Sequence, residues 1–382
     1  MSEVDNGARL RLLGEGARYD ISAPSTLAAQ TALADRPGSI YEALSADGRK
    51  IRLLKVLLSN ACRYDCLYCA TRCSRDIPRA NYRPEELAQL TDELTKAEMI
   101  SGLFLSSGIV GDPDSTMARM IETVEILRHK HGYRSYVHLK LLPGCSEAAV
   151  GTAVGLADRL SVNLEAPGPE RLSTICAGKN FDRDLVRTLR WARSKITPGQ
   201  VKAGLTTQFV VGAAGESDHE LLETTWKIGA EVGLARTYFS GFSPVPDTPL
   251  EDREPAPPIR EHRLYQAEFL MRSYGFSLSE IVFDDEGMLS AEYDPKLAAA
   301  LARADQFPIE LNNAEHWELL RVPGIGPTSA ERILALRGEH KVTSLKHLEL
   351  LGARVDRARN FVTLAGRHYP REEPAQQLSM GL

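Results

Sequence analysis

Ile51-Arg-Leu-Leu-Lys-Val-Leu-Leu58 runs through Ser59-Asn-Ala61 directly into Cys62-Arg-Tyr-Asp-Cys66-Leu-Tyr-Cys69. The first half is a short apolar run rich in branched side chains, which reads as a buried strand. The second half packs three cysteines into one loop with gaps of three and two residues. Thiolates are soft ligands suited to zinc and to iron–sulfur clusters. A structural zinc site wants four ligands, usually as two separated pairs, and no second Cys-x-x-Cys or His pair follows at finger-like spacing. Three thiolates on a four-iron cube leave one iron with an open position, where a cofactor can bind the metal directly. A zinc knuckle with Cys73 as fourth ligand, or a purely structural cluster, would also accommodate this spacing.

Working outward, strands and helices alternate. Pro84 suits a first helical position, and Leu87, Leu90, Thr91, Leu94 and Ala97 follow at helical spacing. A second strand is expected over 102–106, a third over 136–142 and a fourth over 159–164. The fifth and sixth are expected over 205–211 and 236–240. Met117, Met120, Ile121, Val124 and Leu127 mark one intervening helix; Ser217 and Glu220 have capping-box spacing at the start of another. Near-continuous apolar strands joined by helices imply parallel pairing. Six such units predict an α/β fold, a partial (β/α)6 TIM-type barrel, with a doubly wound sheet as the rival. In a barrel, function gathers on the loops after the strand C-termini, where the cysteine loop lies.

This spacing after a first barrel strand resembles the radical SAM superfamily. The resemblance implies a [4Fe–4S] cluster held by Cys62, Cys66 and Cys69, with S-adenosylmethionine chelating the open iron. It further implies a reducing electron donor such as flavodoxin or ferredoxin, and cleavage to methionine and a 5′-deoxyadenosyl radical. Tyr68 stands at the aromatic position that lies near the adenine in the superfamily. Ser106-Ser107-Gly108 stands where many members have Gly-Gly-Glu; the glutamate is missing, so the methionine amino contact falls to backbone or hydroxyl. Asn163 and Glu165 are expected at the ribose or amino group. Gly212 to Glu216 resembles the loop framing the adenine, and Tyr238 to Gly241 the sixth-strand edge. Tyr136, His138, Lys140 and Tyr238 are candidates for the pocket wall. Cys145, Cys176 and Tyr238 are candidate catalytic residues, the two thiols as hydrogen-atom donors like the cysteine of spore photoproduct lyases. Each of these residues would equally serve as ordinary barrel packing.

Val322-Pro323-Gly324-Ile325-Gly326-Pro327-Thr328-Ser329-Ala330 is the second informative run. Paired glycines permit a tight turn, and the helix after it offers backbone N–H groups and a positive dipole end, a ready phosphate site. The run resembles a helix–hairpin–helix, the module many DNA repair enzymes use to hold a backbone without reading sequence. Residues 345–364 suggest a degenerate second copy around Gly352. Pro323, Gly324, Ile325, Gly326, Thr328, Ser329, Arg332, Arg354, Arg357 and Arg359 are the candidate nucleic-acid contacts. Between His316 and Arg371, 10 lysines and arginines stand against 5 aspartates and glutamates, although the whole chain carries −5. A basic end on an acidic body favours a polyanion there. A hairpin used for protein packing is the competing reading.

Composition is that of a soluble globular chain, 43% hydrophobic and 25% charged, with no apolar stretch near the roughly 18 residues of a membrane span. Six cysteines in 382 residues make no disulfide scaffold. With no apolar segment behind Met1, we expect no secretory signal, no membrane and a cytoplasmic location. The expected organisation is an N-terminal extension (1–50), the radical SAM partial barrel (51–245), a linker with accessory helices (246–309) and a small all-α helix–hairpin–helix domain (310–382).

From Tyr19 to Arg367 the chain resembles a bacterial family of radical SAM proteins described as modifying or repairing DNA and linked to a uracil-DNA-glycosylase-like partner. The runs that carry this include Tyr19-Asp-Ile-Ser22, Asp76-Ile-Pro-Arg-Ala80, Gly102 to Gly108, His138-Leu-Lys140, Arg263-Leu-Tyr-Gln-Ala267 and Val322 to Gly326. The resemblance implies that the hairpin domain anchors a strand while the barrel receives a single-stranded or flipped-out nucleotide. An enzyme acting on RNA or protein, or a non-catalytic iron–sulfur nucleic-acid sensor, are the alternatives.

Overall fold

A computed structural model describes residues 6–18, 39–44 and 50–370; Tyr19 to Ser22 and residues 371–382 lie outside them. The apolar run before the cysteines forms β2 (Lys50–Leu57), with Leu53, Leu54, Val56 and Leu57 buried. It stands second in a seven-stranded sheet: β1 (Ile40–Leu44), β2, β3 (Gly102–Ser106), β4 (Tyr136–Lys140), β5 (Arg159–Ser161), β6 (Leu205–Val211) and β7 (Leu234–Gly241). β2 to β7 are parallel, and each pairs with its predecessor in sequence. A doubly wound sheet reverses its order partway; here the order never reverses, which is the partial-barrel arrangement. β1 is an addition the sequence reading missed. It pairs antiparallel with β2, Ile40 opposite Leu54.

The helices between strands begin where local chemistry starts them. Pro84, Pro113 and Pro169 each stand in a first turn, where a missing N–H costs nothing. Asp112 accepts the Ser115 N–H at 2.9 Å. Ser217 and Glu220 close the expected capping box, at 2.7 and 3.2 Å. β5 is regular only to Ser161, but Glu165 bridges to Phe209 further on.

The described residues divide into two compact units, one made of those within 6–216 and 224–257, the other of 217–223 and 258–370. The second contains the helices Pro258–Tyr274 and Pro295–Ala302, then two helix–turn–helix pairs. His316–Arg321 and Pro327–Arg337 form the first pair, and Leu345–Leu350 and Val355–Ala358 the second. Their turns hold Gly324 and Gly352, both at φ +89°, a conformation natural to glycine. The turns interlock: the Arg354 N–H donates to the Gly324 carbonyl at 2.8 Å. Leu319, Val322, Ile325, Ile333, Leu348 and Leu364 make their common core.

This region is not all-α as expected. It contains a three-stranded sheet of β8 (Ile309–Glu310), β9 (Val362–Leu364) and β10 (Arg367–His368). Glu310 ties it together. Its carboxylate accepts the Gly366 N–H at 2.9 Å, the Ala365 N–H at 3.1 Å and the Thr363 hydroxyl at 2.9 Å. Burial works against the charge, but these donors, Gly366 foremost, bring its pKa down to about 2.

Candidate active site

The cysteine loop leaves β2 at the C-terminal edge of the sheet and is braced on all sides. Arg79 is its hub, donating to the carbonyls of Asn60 (2.7 Å), Thr71 (2.9 Å), Arg72 (2.7 Å) and Arg75 (2.7 Å). Arg72, buried, grips Asp65 through two nitrogens, and Asp65 also receives the Ser74 N–H and hydroxyl. Such charge-assisted pairs fix a loop more firmly than neutral bonds do. The Leu67 N–H reaches the Ile175 carbonyl at 2.8 Å, so the far side of the loop rests on the helix Pro169–Ile175.

The loop walls a cavity of about 160 Å³ lined by Cys62, Cys66, Cys69, Tyr64 and Tyr68. The strand ends supply the rest: Ser106, Ser107 and Gly108 after β3, Lys140 from β4, Asn163 and Glu165 after β5, Gln208 from β6, and Ser240 to Ser243 at β7. All three thiols are unbridged. The N–H groups of Tyr64 and Ile109 lie 3.4 and 3.5 Å from Cys62 Sγ, positions from which they would stabilise a metal-bound thiolate. Burial, then the field of Cys66, pushes the Cys69 thiol up to about 11. A hydrogen bond to Cys176 and burial likewise hold Cys66 above the thiol range. Metal charge reverses such shifts, and a coordinating thiol is deprotonated outright. Among the described residues no three His, Cys, Asp or Glu side chains are grouped around a single metal ion. Cys73 is exposed and absent from the cavity wall. A cluster, with each thiolate on a different iron, suits this donor set better than zinc. Gly108 completes the cradle, since a Cβ there would run into the Ala61 carbonyl.

Glu165 holds a left-handed backbone, φ +65°, that a glutamate rarely adopts. Its carboxylate is buried and faces Lys179 Nζ at 3.4 Å. Burial opposes the ammonium, yet Cys66 and Glu165 keep its pKa well above the lysine value. Lys179 was not singled out in the sequence: it sits in a short loop after Cys176, and only the tertiary fold brings it to the strand ends. Arg79 falls within the run Asp76 to Ala80, but nothing in sequence spacing reveals its four carbonyl partners.

The other candidates divide cleanly. Ser106 and Gly108 lend their carbonyls to the Leu58 N–H and the Ser107 hydroxyl, both at the cavity wall. Gly212 lies outside the lining; its N–H and that of Ala214 both donate to the Glu216 carboxylate, which closes the loop on itself. Tyr238 is buried, its hydroxyl accepting from Arg159 Nη1 at 3.0 Å. His138 is not in the cavity wall; it stacks on Phe104 at 4.1 Å and bonds Ser161 Oγ at 2.8 Å. Cys145 is buried away from it, its thiol pushed up to about 12 by burial. Cys176 is also off the wall, its Sγ 2.9 Å from Cys66 Sγ. Among the described residues no helix is long and apolar enough to cross a membrane.

Comparison with known proteins agrees with this geometry. Residues 56–225 match the model of the Radical SAM superfamily. No curated protein matches the chain. Among solved structures, the FeFe-hydrogenase maturase HydG from Carboxydothermus hydrogenoformans is similar at 14% identity and TM-score 0.47, over 56% of this chain and 50% of that one. A radical SAM methyltransferase from Sphaerobacter thermophilus is similar at 15% identity and TM-score 0.44, over 74% and 92%. The chain spans about half the length of the hydrogenase maturases it matches. Residues 56–225 thus carry a radical SAM superfamily domain, the domain of enzymes that work with a [4Fe–4S] cluster and S-adenosylmethionine.

Proposed function

We propose that this chain is a radical SAM enzyme that modifies or repairs a nucleic acid, DNA by its family resemblance, gripped through its glycine hairpins. The observation that carries the radical half is the convergence of Cys62, Cys66 and Cys69 on one cavity at the parallel strand ends. When bound there, the cluster and S-adenosylmethionine supply a carbon radical able to abstract a hydrogen atom. The protein's part is holding and shielding. The three thiolates would hold the irons, with the Tyr64 and Ile109 N–H groups supporting Cys62. Lys179 and Glu165 offer opposite charges for a carboxylate and an ammonium, in a pocket dry enough for both to count. Tyr68 offers an aromatic edge for a base, and Asn163 a side chain for hydroxyls. Leu142 and Phe242 add apolar side chains to the wall.

The nucleic-acid half is supported by the interlocked turns at Gly324 and Gly352 and by the basic balance around them. No side chain caps the first turn of Pro327–Arg337, so its N–H groups suit a phosphate. An external one-electron reductant, of the flavodoxin or ferredoxin kind, and a uracil-DNA-glycosylase-like partner belong to this same reading.

The test is anaerobic reconstitution with iron and sulfide, then reduction in the presence of S-adenosylmethionine. We expect about four irons per chain and release of 5′-deoxyadenosine, stimulated by DNA. Zinc without iron would sink the cluster; iron without 5′-deoxyadenosine would mark a sensor. Stimulation by RNA or a protein alone would move the substrate to that class.

A further inference from the structure

A second cavity, of about 300 Å³, lies within the hairpin unit, between the two glycine turns and the helix Pro258–Tyr274. Gly324, Gly326 and Gly352 present bare backbone to it, and Lys296, Arg354 and Arg357 line it with positive charge. Among the described residues of its wall the one carboxylate is Asp294. That carboxylate is already engaged twice, by Arg357 and by the Leu297 N–H at 3.2 Å. Lys296 is 8% exposed. Its ammonium rests on the Ile325 carbonyl and on the face of Tyr274, 4.6 Å from the ring centroid. A buried ammonium is costly unless an opposite charge accompanies it, and neither a carbonyl nor a ring is one.

We propose that this cavity is a phosphate-binding site in which Lys296, with Arg354 and Arg357, takes one backbone phosphate of a nucleic acid. The proposal rests on the nucleic-acid reading above and adds a residue from outside the hairpins. Arg357 already holds the one carboxylate, which leaves the buried Lys296 ammonium in want of an anion. Arginines match the oxygens of a tetrahedral anion in pairs. The electrostatics agree: burial, then Arg357, presses the Lys296 pKa down to about 7, with Arg321 adding to the repulsion and Asp294 opposing it. An arriving phosphate would relieve that repulsion and keep the ammonium charged.

The test uses the full chain. Binding of a labelled DNA duplex is measured by anisotropy across a range of potassium chloride, for wild type, Lys296→Met and Lys296→Arg. Inorganic phosphate is tested in parallel by thermal shift at matched ionic strength. We expect Lys296→Met to bind about 10-fold more weakly, its salt slope smaller by about one, with Lys296→Arg close to wild type. DNA binding by the wild type with no change in Lys296→Met overturns this inference and leaves the nucleic-acid reading standing. No DNA binding, but a phosphate shift that Lys296→Met loses, supports the anion site with free phosphate as its source and sinks the nucleic-acid reading. Neither signal overturns both. The wild-type phosphate shift needs no variant and decides the matter should Lys296→Met fail to fold.

Discussion

Gly324 and Gly352 share a backbone angle, φ +89°, but not a neighbourhood, and replacing each with alanine separates the two. At Gly352 a Cβ would meet only the ends of side chains, Arg332 Nη1 at 3.2 Å and Ser329 Oγ at 3.4 Å, which can move aside. Gly352→Ala therefore costs chiefly the left-handed backbone, roughly 1 kcal/mol. At Gly324 a Cβ would sit 2.5 Å from the Arg354 carbonyl oxygen, which is backbone and cannot yield cheaply. It would also strain the 2.8 Å bond from the Arg354 N–H to the Gly324 carbonyl. Overpacking of about 1–3 kcal/mol and a weakened bond of about 1 kcal/mol add to the backbone term. Gly324→Ala should therefore be worse by at least about 2 kcal/mol, an opening constant larger by roughly 30-fold or more. Amide hydrogen exchange in the full chain, read on peptides containing Ile333 and Leu348, measures that constant for each variant. Equal protection in the two variants, or greater loss in Gly352→Ala, would refute the interlocked turns.

Arg79→Ala removes four carbonyl partners from the cysteine loop; we expect the reconstituted cluster to lose iron to a chelator at least 10-fold faster than wild type, while circular dichroism is unchanged. Gly108→Ala drives a Cβ into the Ala61 backbone beside Cys62, so iron per chain should fall below half, whereas Ser107→Ala should load normally. Glu310 has its folded pKa lowered to about 2, so its contribution is complete above the unfolded value near 4.5 and drains away as pH falls from about 5 to about 2. Partial exposure trims that contribution to about 2 kcal/mol, and Glu310→Gln should flatten the acid limb of exchange protection at Thr363 and Leu364. A wild-type profile that stays level through that range would contradict the reading.

Strands β3 and β6 were legible to the residue because they are continuous apolar runs bounded by glycine or polar turns. The cysteine loop was legible because three thiols in eight residues have few other uses. β1 was not, since a five-residue edge strand with one glutamate has no clear period. β8 and β10, two residues each, are too short for periodicity at all; the Glu310 side chain ties β8 to Thr363 of β9 and to the turn before β10. Regular β5 ends at Ser161, short of the expected residue 164. Lys179 and Lys296 are invisible in sequence for a common reason. A lone lysine reads as solvated surface, and only tertiary packing buries it.

Each parallel strand pairs with the one made just before it, so the sheet can grow at one edge as the chain leaves the ribosome. The metal loop does not share that convenience. Its thiols emerge with the first parallel strand, yet Cys176, which touches Cys66, comes 110 residues later. Ile175 and Lys179, which seat and charge the same loop, arrive with it. During that interval the nascent chain carries reactive sulfur without its socket. Iron delivery therefore belongs after the fourth parallel strand and its helix are in place, and grafting residues 59–80 onto another barrel would transfer the ligands but leave the seat behind.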